Sequence, residues 1–212
     1  MARVLVLFAH PALEKSRIHR RLVAAVPEDD RLTVNDLYEQ YLRLDIDVAR
    51  EQELLVEHDV VVFLFPFYWY STPPILKQWQ DLVLEHGWAY GSEGRALRGK
   101  TLICADSTGG SEEAYRPEGY AGYSVRQFLA PIEQTSRLCG MRYLPPWLVS
   151  GVLQRGEPEI AQATDEFVRL IHGLMDDRFD PEDPTLLAAP CLNPTVNEVE
   201  VQPDTADRGR LI

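Results

Sequence analysis

Val60-Val-Val-Phe-Leu-Phe65, followed at once by Pro66-Phe-Tyr-Trp-Tyr-Ser-Thr-Pro-Pro74, is the stretch on which the reading of this chain turns. A continuous apolar run of this length is expected for a strand covered on both faces. Ser71 or Thr72 can cap a helix with Pro73 at its first position. Between strand and helix stand Phe67, Tyr68, Trp69 and Tyr70, in a loop with no obvious core to bury them. Aromatic rings offer flat faces at little cost in side-chain entropy, and a planar ligand would give them a partner. A core or subunit-interface cluster is the alternative that the residues leave open.

The same grammar recurs on either side. Val4–Ala9 is an apolar run ended by His10-Pro11, because proline cannot continue a ladder. Ser16 is placed to cap a helix with Ile18, Leu22, Ala25 and Val26 on one face. Leu32–Leu37 alternates as a more exposed strand, Tyr38–Val48 reads as a loop, and Ala49–His58 as a polar helix with Leu54 and Leu55 inward. After the aromatic loop, Ile75, Leu76, Trp79, Leu82 and Val83 form a helical stripe, and Gly87–Gly94 is a glycine-punctuated loop. Lys100–Ala105 is a fourth strand that runs into Ser107-Thr-Gly-Gly110 and a long loop, Ser111–Tyr123. Ser124–Cys139 is expected to be one helix with Phe128, Leu129, Ile132 and Leu138 inward. Met141–Val149 reads as a fifth strand with Pro145-Pro146 at a bend or edge, and Pro158 starts a last helix.

Strands alternating with helices specify a parallel sheet covered on both faces. Five strands favour an α/β, flavodoxin-like doubly wound sheet of order 2-1-3-4-5 over residues 1–175. From Asp176 to position 212 the composition turns acidic, with five prolines and little periodicity. This C-terminal extension is expected to be disordered, or else an extended arm on a neighbouring subunit.

The chain has 212 residues, 45% of them apolar and 25% charged, as in an ordinary globular protein. Its net charge of −12 argues against nonspecific binding of nucleic acid or anionic lipid. Three cysteines without Cys-x-x-Cys spacing suggest neither a disulfide framework nor a metal site. With no apolar stretch of roughly 20 residues and no signal-peptide pattern, the expectation is a soluble cytoplasmic protein without a transmembrane segment.

In an open parallel sheet, ligands bind outside the carboxyl ends of the strands, where the topology switches. The loops after strands one, three and four should meet there. The first leads into a helix N-terminus that favours phosphate, with Ser16 as a hydroxyl donor and His10, Arg17 and His19 adding donors or charge. Glu14 must point away. The second loop brings the aromatic faces. In the third, Thr108-Gly109-Gly110 lets backbone N–H groups approach a flat polar ring. Each loop has a bland reading: a common capped helix, a core cluster, a tight turn. A phosphate clamp, an aromatic wall and a bare backbone surface on one edge together describe a flavin mononucleotide site.

Ala9-His10-Pro11, Phe65-Pro66 with Tyr68–Ser71 and Pro73-Pro74, Gly87-Trp-Ala-Tyr-Gly91, Ser107-Thr-Gly-Gly110 and Leu144-Pro-Pro146 lie in order between about Arg3 and Met175. In them the chain resembles the flavodoxin-like NAD(P)H:quinone oxidoreductases, and within these the ancillary oxidoreductases of glutathione-gated potassium-efflux systems. The resemblance implies a homodimer that binds FMN in preference to FAD and transfers hydride from NAD(P)H to quinones in a two-electron ping-pong reaction. It implies flavin phosphate and ribityl contacts at His10, Ser16, Arg17, Ile18 and His19. Ring contacts fall at Phe67, Tyr68, Trp69 and Tyr70 and at Ser107, Thr108, Gly109 and Gly110. Tyr115 falls at the family's catalytic tyrosine, but Ala121 stands where the family's histidine should be, and Tyr120 or Tyr123 is left to substitute. A potassium-efflux transporter is the implied partner, with a peripheral place at the inner membrane. A regulatory subunit of such a transporter and a one-electron flavodoxin carrier are the competing readings; the long Ser111–Tyr123 loop argues against the carrier, which needs an exposed ring edge.

Overall fold

A computed structural model describes residues 1–199. Its first strand, β1 (Val4–Phe8), is buried throughout and pairs in parallel with β2 (Leu32–Asp36) on one side and β3 (Val60–Pro66) on the other. Then come β4 (Thr101–Ser107), beside β3, and the short β5 (Arg142–Tyr143) and β6 (Trp147–Val149), both beside β4. The order 2-1-3-4-5 expected from the alternation is the order found, and β6 pairs with β4 as well. The fifth strand is therefore two pieces separated by Pro145-Pro146, which have no N–H to give to a ladder.

Every residue of β1, β3 and β4 is buried because each face of the sheet carries its own helical layer. Val4, Val6, Phe8, Val62, Leu64, Ile103 and Ala105 pack with α1 (His19–Ala24) and the long C-terminal helix Glu157–Met175. Leu5, Leu7, Val61, Phe63, Phe65 and Cys104 face the other layer. That layer is α2 (Leu37–Gln40), α3 (Val48–Glu57), α4 (Pro74–Val83), α5 (Val125–Phe128) and α6 (Ala130–Leu138), after which Glu157–Met175 is α7. Burying each such side chain contributes about 1.5–3 kcal/mol, which is why the strands read as unbroken apolar runs.

Several expectations need correction. The segment read as loop from Tyr38 begins with a helical turn, because the Asp36 carboxylate accepts from the backbone of Tyr38 and Glu39 at 3.0 and 3.2 Å. Helix α4 starts one residue late, with Pro73 as cap and Pro74 first. The helix expected over Ser124–Cys139 breaks at Leu129, since Pro131 cannot donate to the carbonyl four residues back. Leu82 and Leu138 are exposed, off the faces set by Trp79 and Val83 and by Ile132 and Ser136.

The extension expected as disorder, or as an extended arm on a neighbouring subunit, folds back on its own chain from Asp176 to Val199. Phe179, Leu186, Leu192 and Val196 are buried against the α7 layer. Phe179 lies so close to Gly173 that a Cβ there would come within 2.6 Å of its ring. The prolines that suggested disorder open two short helices, α8 (Pro184–Ala188), capped by Asp183, and α9 (Asn193–Val196). Positions 200–212 of the expected arm lie outside the described residues.

Candidate functional site

Parallel pairing in register aligns Phe8 with Leu64 and Leu64 with Ala105, while β3 and β4 run two residues further to Pro66 and Ser107. The loops after β1, β3 and β4 therefore leave from one edge and enclose a cleft of about 730 Å³. That is within the size range of small-molecule and cofactor sites.

The first loop contributes His10, Ser16, Arg17, Ile18 and His19 to this cleft, all on the side expected of them; exposed Glu14 is not among the lining residues. Ser16 Oγ accepts from the His19 backbone at 3.0 Å, but Ser16 is not the expected cap: α1 begins only at His19, and its cap, Ile18, makes no side-chain bond. The His10 and His19 ring centroids are 5.0 Å apart. Ala12 N–H donates to His10 Nδ1 at 3.1 Å, which leaves the proton of a neutral His10 ring on Nε2. Burial lowers the pKa of His10, against the pull of Glu14, and lowers that of His19 to about 3, with His10 adding to the effect. His19 Nε2 is buried without a hydrogen-bond partner among the described residues. Arg17 lies along the mouth, held by the Arg155 carbonyl at 3.0 Å and Glu157 at 3.5 Å.

The second loop is a hairpin rather than an open loop. Ser71 N–H donates to the Tyr68 carbonyl at 3.1 Å, and Trp69 and Tyr70 between them have φ of +50° and +64°. Positive φ at both central positions is the type I′ turn that Asn-Gly normally occupies. Bulky residues there cost of order 1–3 kcal/mol each, a strain that clusters at functional sites. Phe67, Tyr68 and Trp69 line the cleft, with Trp69 93% exposed. Tyr70 turns away and stacks on Phe128 at 5.1 Å, so the four aromatics do not act as one wall.

The third loop places Ser107 and Gly109 in the cleft. Thr108 is buried behind them, its hydroxyl bonded to the Gly110 carbonyl at 2.8 Å, and Gly110 lies against the Tyr115 ring. Tyr115 packs edge-on to Phe67, beside the cleft and not in its lining; Tyr120 is 93% exposed and stands off it. The backbone N–H groups of Trp69, Tyr70, Gly109 and Gly110 donate to nothing among the described residues. Pro66, Lys15, Val152 and Leu153 complete the lining and escaped sequence reasoning. Lys15 neighbours a predicted residue and was legible in principle, whereas Val152 and Leu153 follow β6 and reach the cleft only through its pairing with β4.

A family model described as the flavodoxin-like fold matches residues 2–171. The chain belongs to this family. Among flavodoxin-like relatives, general stress protein 14 of Bacillus subtilis is 46% identical over 169 residues, 80% of this chain and 97% of that one. A glutathione-regulated potassium-efflux system ancillary protein of Cronobacter sakazakii is 41% identical over 160 residues, 76% of this chain and 87% of that one. Similar solved structures include general stress protein 14 of Treponema denticola in complex with FMN (TM-score 0.78, 39% identity, 81% of this chain and 99% of that one). They also include an NADPH-quinone reductase of P. pentosaceus (TM-score 0.72, 29% identity, 79% and 96%). A third carries the name thermophilic tryptophan halogenase, from Streptomycin violaceusniger (TM-score 0.77, 42% identity, 79% and 97%). No helix among the described residues is long and apolar enough to cross a membrane.

Proposed function

We propose that this flavodoxin-like chain is an NAD(P)H dehydrogenase (quinone) that holds FMN in the cleft. The observation that carries the reading is the pairing of unspent donors with flat apolar walls on one sheet edge. His10, Ser16, Arg17 and His19 would hold the phosphate and ribityl chain, with Ile18 beneath and Lys15 at the mouth. Phe67 to Tyr70 and Ser107 to Gly110 would hold the ring, Thr108 and Tyr70 acting from behind. The N–H groups of Trp69, Tyr70, Gly109 and Gly110, without partners among the described residues, would be donors for a ring that gains negative charge on reduction. The chemistry that FMN supplies when bound is two-electron transfer between NAD(P)H and an acceptor. FMN is favoured over FAD because the similar Treponema denticola structure holds FMN.

NAD(P)H and then a quinone use the same open side of the cleft in turn, a ping-pong order. Tyr115, packed edge-on to Phe67 of the ring loop, would be the proton donor, and burial raises its pKa further above neutral pH. Tyr120 is too exposed to act within its own protomer and would act across a homodimer. Tyr68, Trp69, Tyr70 and Tyr123 are exposed, Tyr70 and Tyr123 both against Phe128, and would supply an aromatic surface for the second copy. Similarity to a potassium-efflux ancillary protein supports a place beside such a transporter, cytoplasmic and peripheral at the inner membrane.

The test is an absorption spectrum of the purified protein, identification of any released flavin, and NAD(P)H oxidation with a quinone. Tryptophan with halide serves as the control pair, since one similar structure carries a halogenase's name. A yellow protein that releases FMN and reduces quinone is expected. A colourless protein that takes up no flavin and oxidises no NAD(P)H would end this reading.

A further inference from the structure

Residues 184–196 lie beyond the matched family region, yet they fasten one wall of the cleft. Strand β6 has three residues and pairs only with β4 among the described residues. Its outer edge is taken by side chain and backbone of α9 in place of a further strand. Asn193 Oδ1 accepts from Leu148 N–H at 2.9 Å, Asn193 Nδ2 donates to the Leu148 carbonyl at 2.9 Å, and Leu192 N–H donates to the Pro146 carbonyl at 2.8 Å. One amide thus satisfies both polar groups of a strand residue, as a paired strand would.

The chain leaving β6 is in turn bonded to the glycine loop. Thr108 N–H donates to the Val149 carbonyl at 2.9 Å, Val152 N–H to the Thr108 carbonyl at 3.0 Å, and Gly151 N–H to the Gly110 carbonyl at 2.7 Å. Asn193, β6 and Thr108–Gly110 therefore form one ladder. A second fastening lies at the far end of the same loop. Arg126, in α5 just after Tyr123, donates to the carbonyls of Leu187 and Ala189 at the end of α8. A cation is favoured at that helix end by the unpaired carbonyls and the dipole.

We propose that residues 184–196 are a strap that sets the geometry of the Ser107–Tyr123 loop, with Asn193 and Arg126 as positioning residues for the cleft. The strap is anchored independently, because Leu186, Leu192 and Val196 are buried in the α7 layer. Its hold on the loop is polar, so the two roles can be separated by substitution. As far as the loop serves FMN, the inference rests on the function proposed above; its mechanical part does not.

Hydrogen exchange of the ligand-free full chain tests it, comparing wild type with Asn193→Ala. Losing the clamp should speed exchange of the hydrogen-bonded amides in 108–111 and 148–152, those of Thr108, Leu148, Gly151 and Val152, by roughly tenfold, the equivalent of one to two net hydrogen bonds. Amides of β1 and β3 should keep their rates. Unchanged rates in the two segments, or a uniform rise across all strands, would overturn the strap. If Asn193→Ala does not fold, Arg126→Gln decides by the same measurement at 111–126. FMN titration adds a second readout, with affinity expected to fall roughly tenfold in the variant. A wild type that binds no FMN would refute the proposed cofactor and leave the exchange result to judge the strap.

Discussion

His10 and His19 stand with ring centroids 5.0 Å apart where the first loop enters the cleft, both buried and the latter with an Nε2 unpartnered among the described residues. Burial holds His19 near a pKa of 3, against an ordinary 6.5. Below pH 6.5 the unfolded chain therefore binds a proton that the folded chain refuses until about pH 3. Stability should be lost on acidification through that window, at up to about 1.4 kcal/mol per pH unit. Urea unfolding at pH 7 and pH 5 should show a smaller loss for His19→Asn; an equal loss excludes His19 as the source.

The same pair should couple ligand binding to protons. Both pKa values are lowered in the free protein, and a phosphate beside the rings would favour imidazolium and raise them. FMN affinity should then strengthen from pH 8 to pH 6, by a few-fold, while riboflavin, which lacks the phosphate, stays nearly flat. His10→Asn should flatten the FMN curve. Isothermal titration in buffers of different ionisation enthalpy would reveal the proton taken up.

Asp106 has the opposite sign. Both its carboxylate oxygens are buried without partners among the described residues, and desolvation pushes its pKa well above 3.8. Desolvation is the cause of its shift, and the neighbouring ionisable groups, Cys104, Tyr143 and Tyr115, carry no positive charge and donate no hydrogen bond to its oxygens among the described residues. The folded chain holds this proton after the unfolded chain has lost it. Stability should fall as pH rises from about 4 towards the folded pKa, by up to about 1.4 kcal/mol per pH unit. Asp106→Asn should remove that slope and be the more stable protein at pH 8, as thermal unfolding can check.

Glu51 is a buried hub of a different kind. It accepts from Trp79 Nε1 at 2.8 Å, Tyr41 Oη at 2.6 Å and Asn35 Nδ2 at 2.8 Å, and pairs with Arg50 at 2.5 Å. Removing the carboxylate would strand these donors, so Glu51→Ala should cost about 3–5 kcal/mol in denaturant unfolding. Trp79→Phe should cost about 1–3 kcal/mol through one lost donor and some lost volume.

Trp69 offers a separation of stability from binding. Asparagine tolerates its φ of +50°, and the exposed indole has little packing to lose. Trp69→Asn should raise stability by about 0.5–1 kcal/mol and weaken FMN binding. Undiminished FMN occupancy would show that the indole is no part of the ring site.

Much of this arrangement is written in local patterns. The apolar runs at Val4, Val60 and Thr101 announce strands buried on both faces, and their alternation with helices fixes a doubly wound sheet. That topology alone sends His10, Trp69 and Gly109 to one edge. The turn at Tyr68–Ser71 was not legible, because its aromatic residues contradict the Asn-Gly pattern of a type I′ hairpin. The extension misled for a related reason: Phe179, Leu186, Leu192 and Val196 follow no helical or strand period, and only the surface of α7 makes them a core.

The sequence by itself determined the order of the strands, the edge at which the loops gather and the kinds of side chain placed there, because these follow from periodicity and short-range signals. Only the tertiary structure decided that Tyr70 turns from the cleft to Phe128, that Val152 and Leu153 enter it, and that Asn193 holds β6. Those are contacts between residues distant along the chain. They depend on how packed layers meet, which no local pattern encodes. The Phe65–Pro74 stretch shows both sides: its composition marked a site, and its strained backbone settled which rings line it and which N–H groups stay unpaired among the described residues.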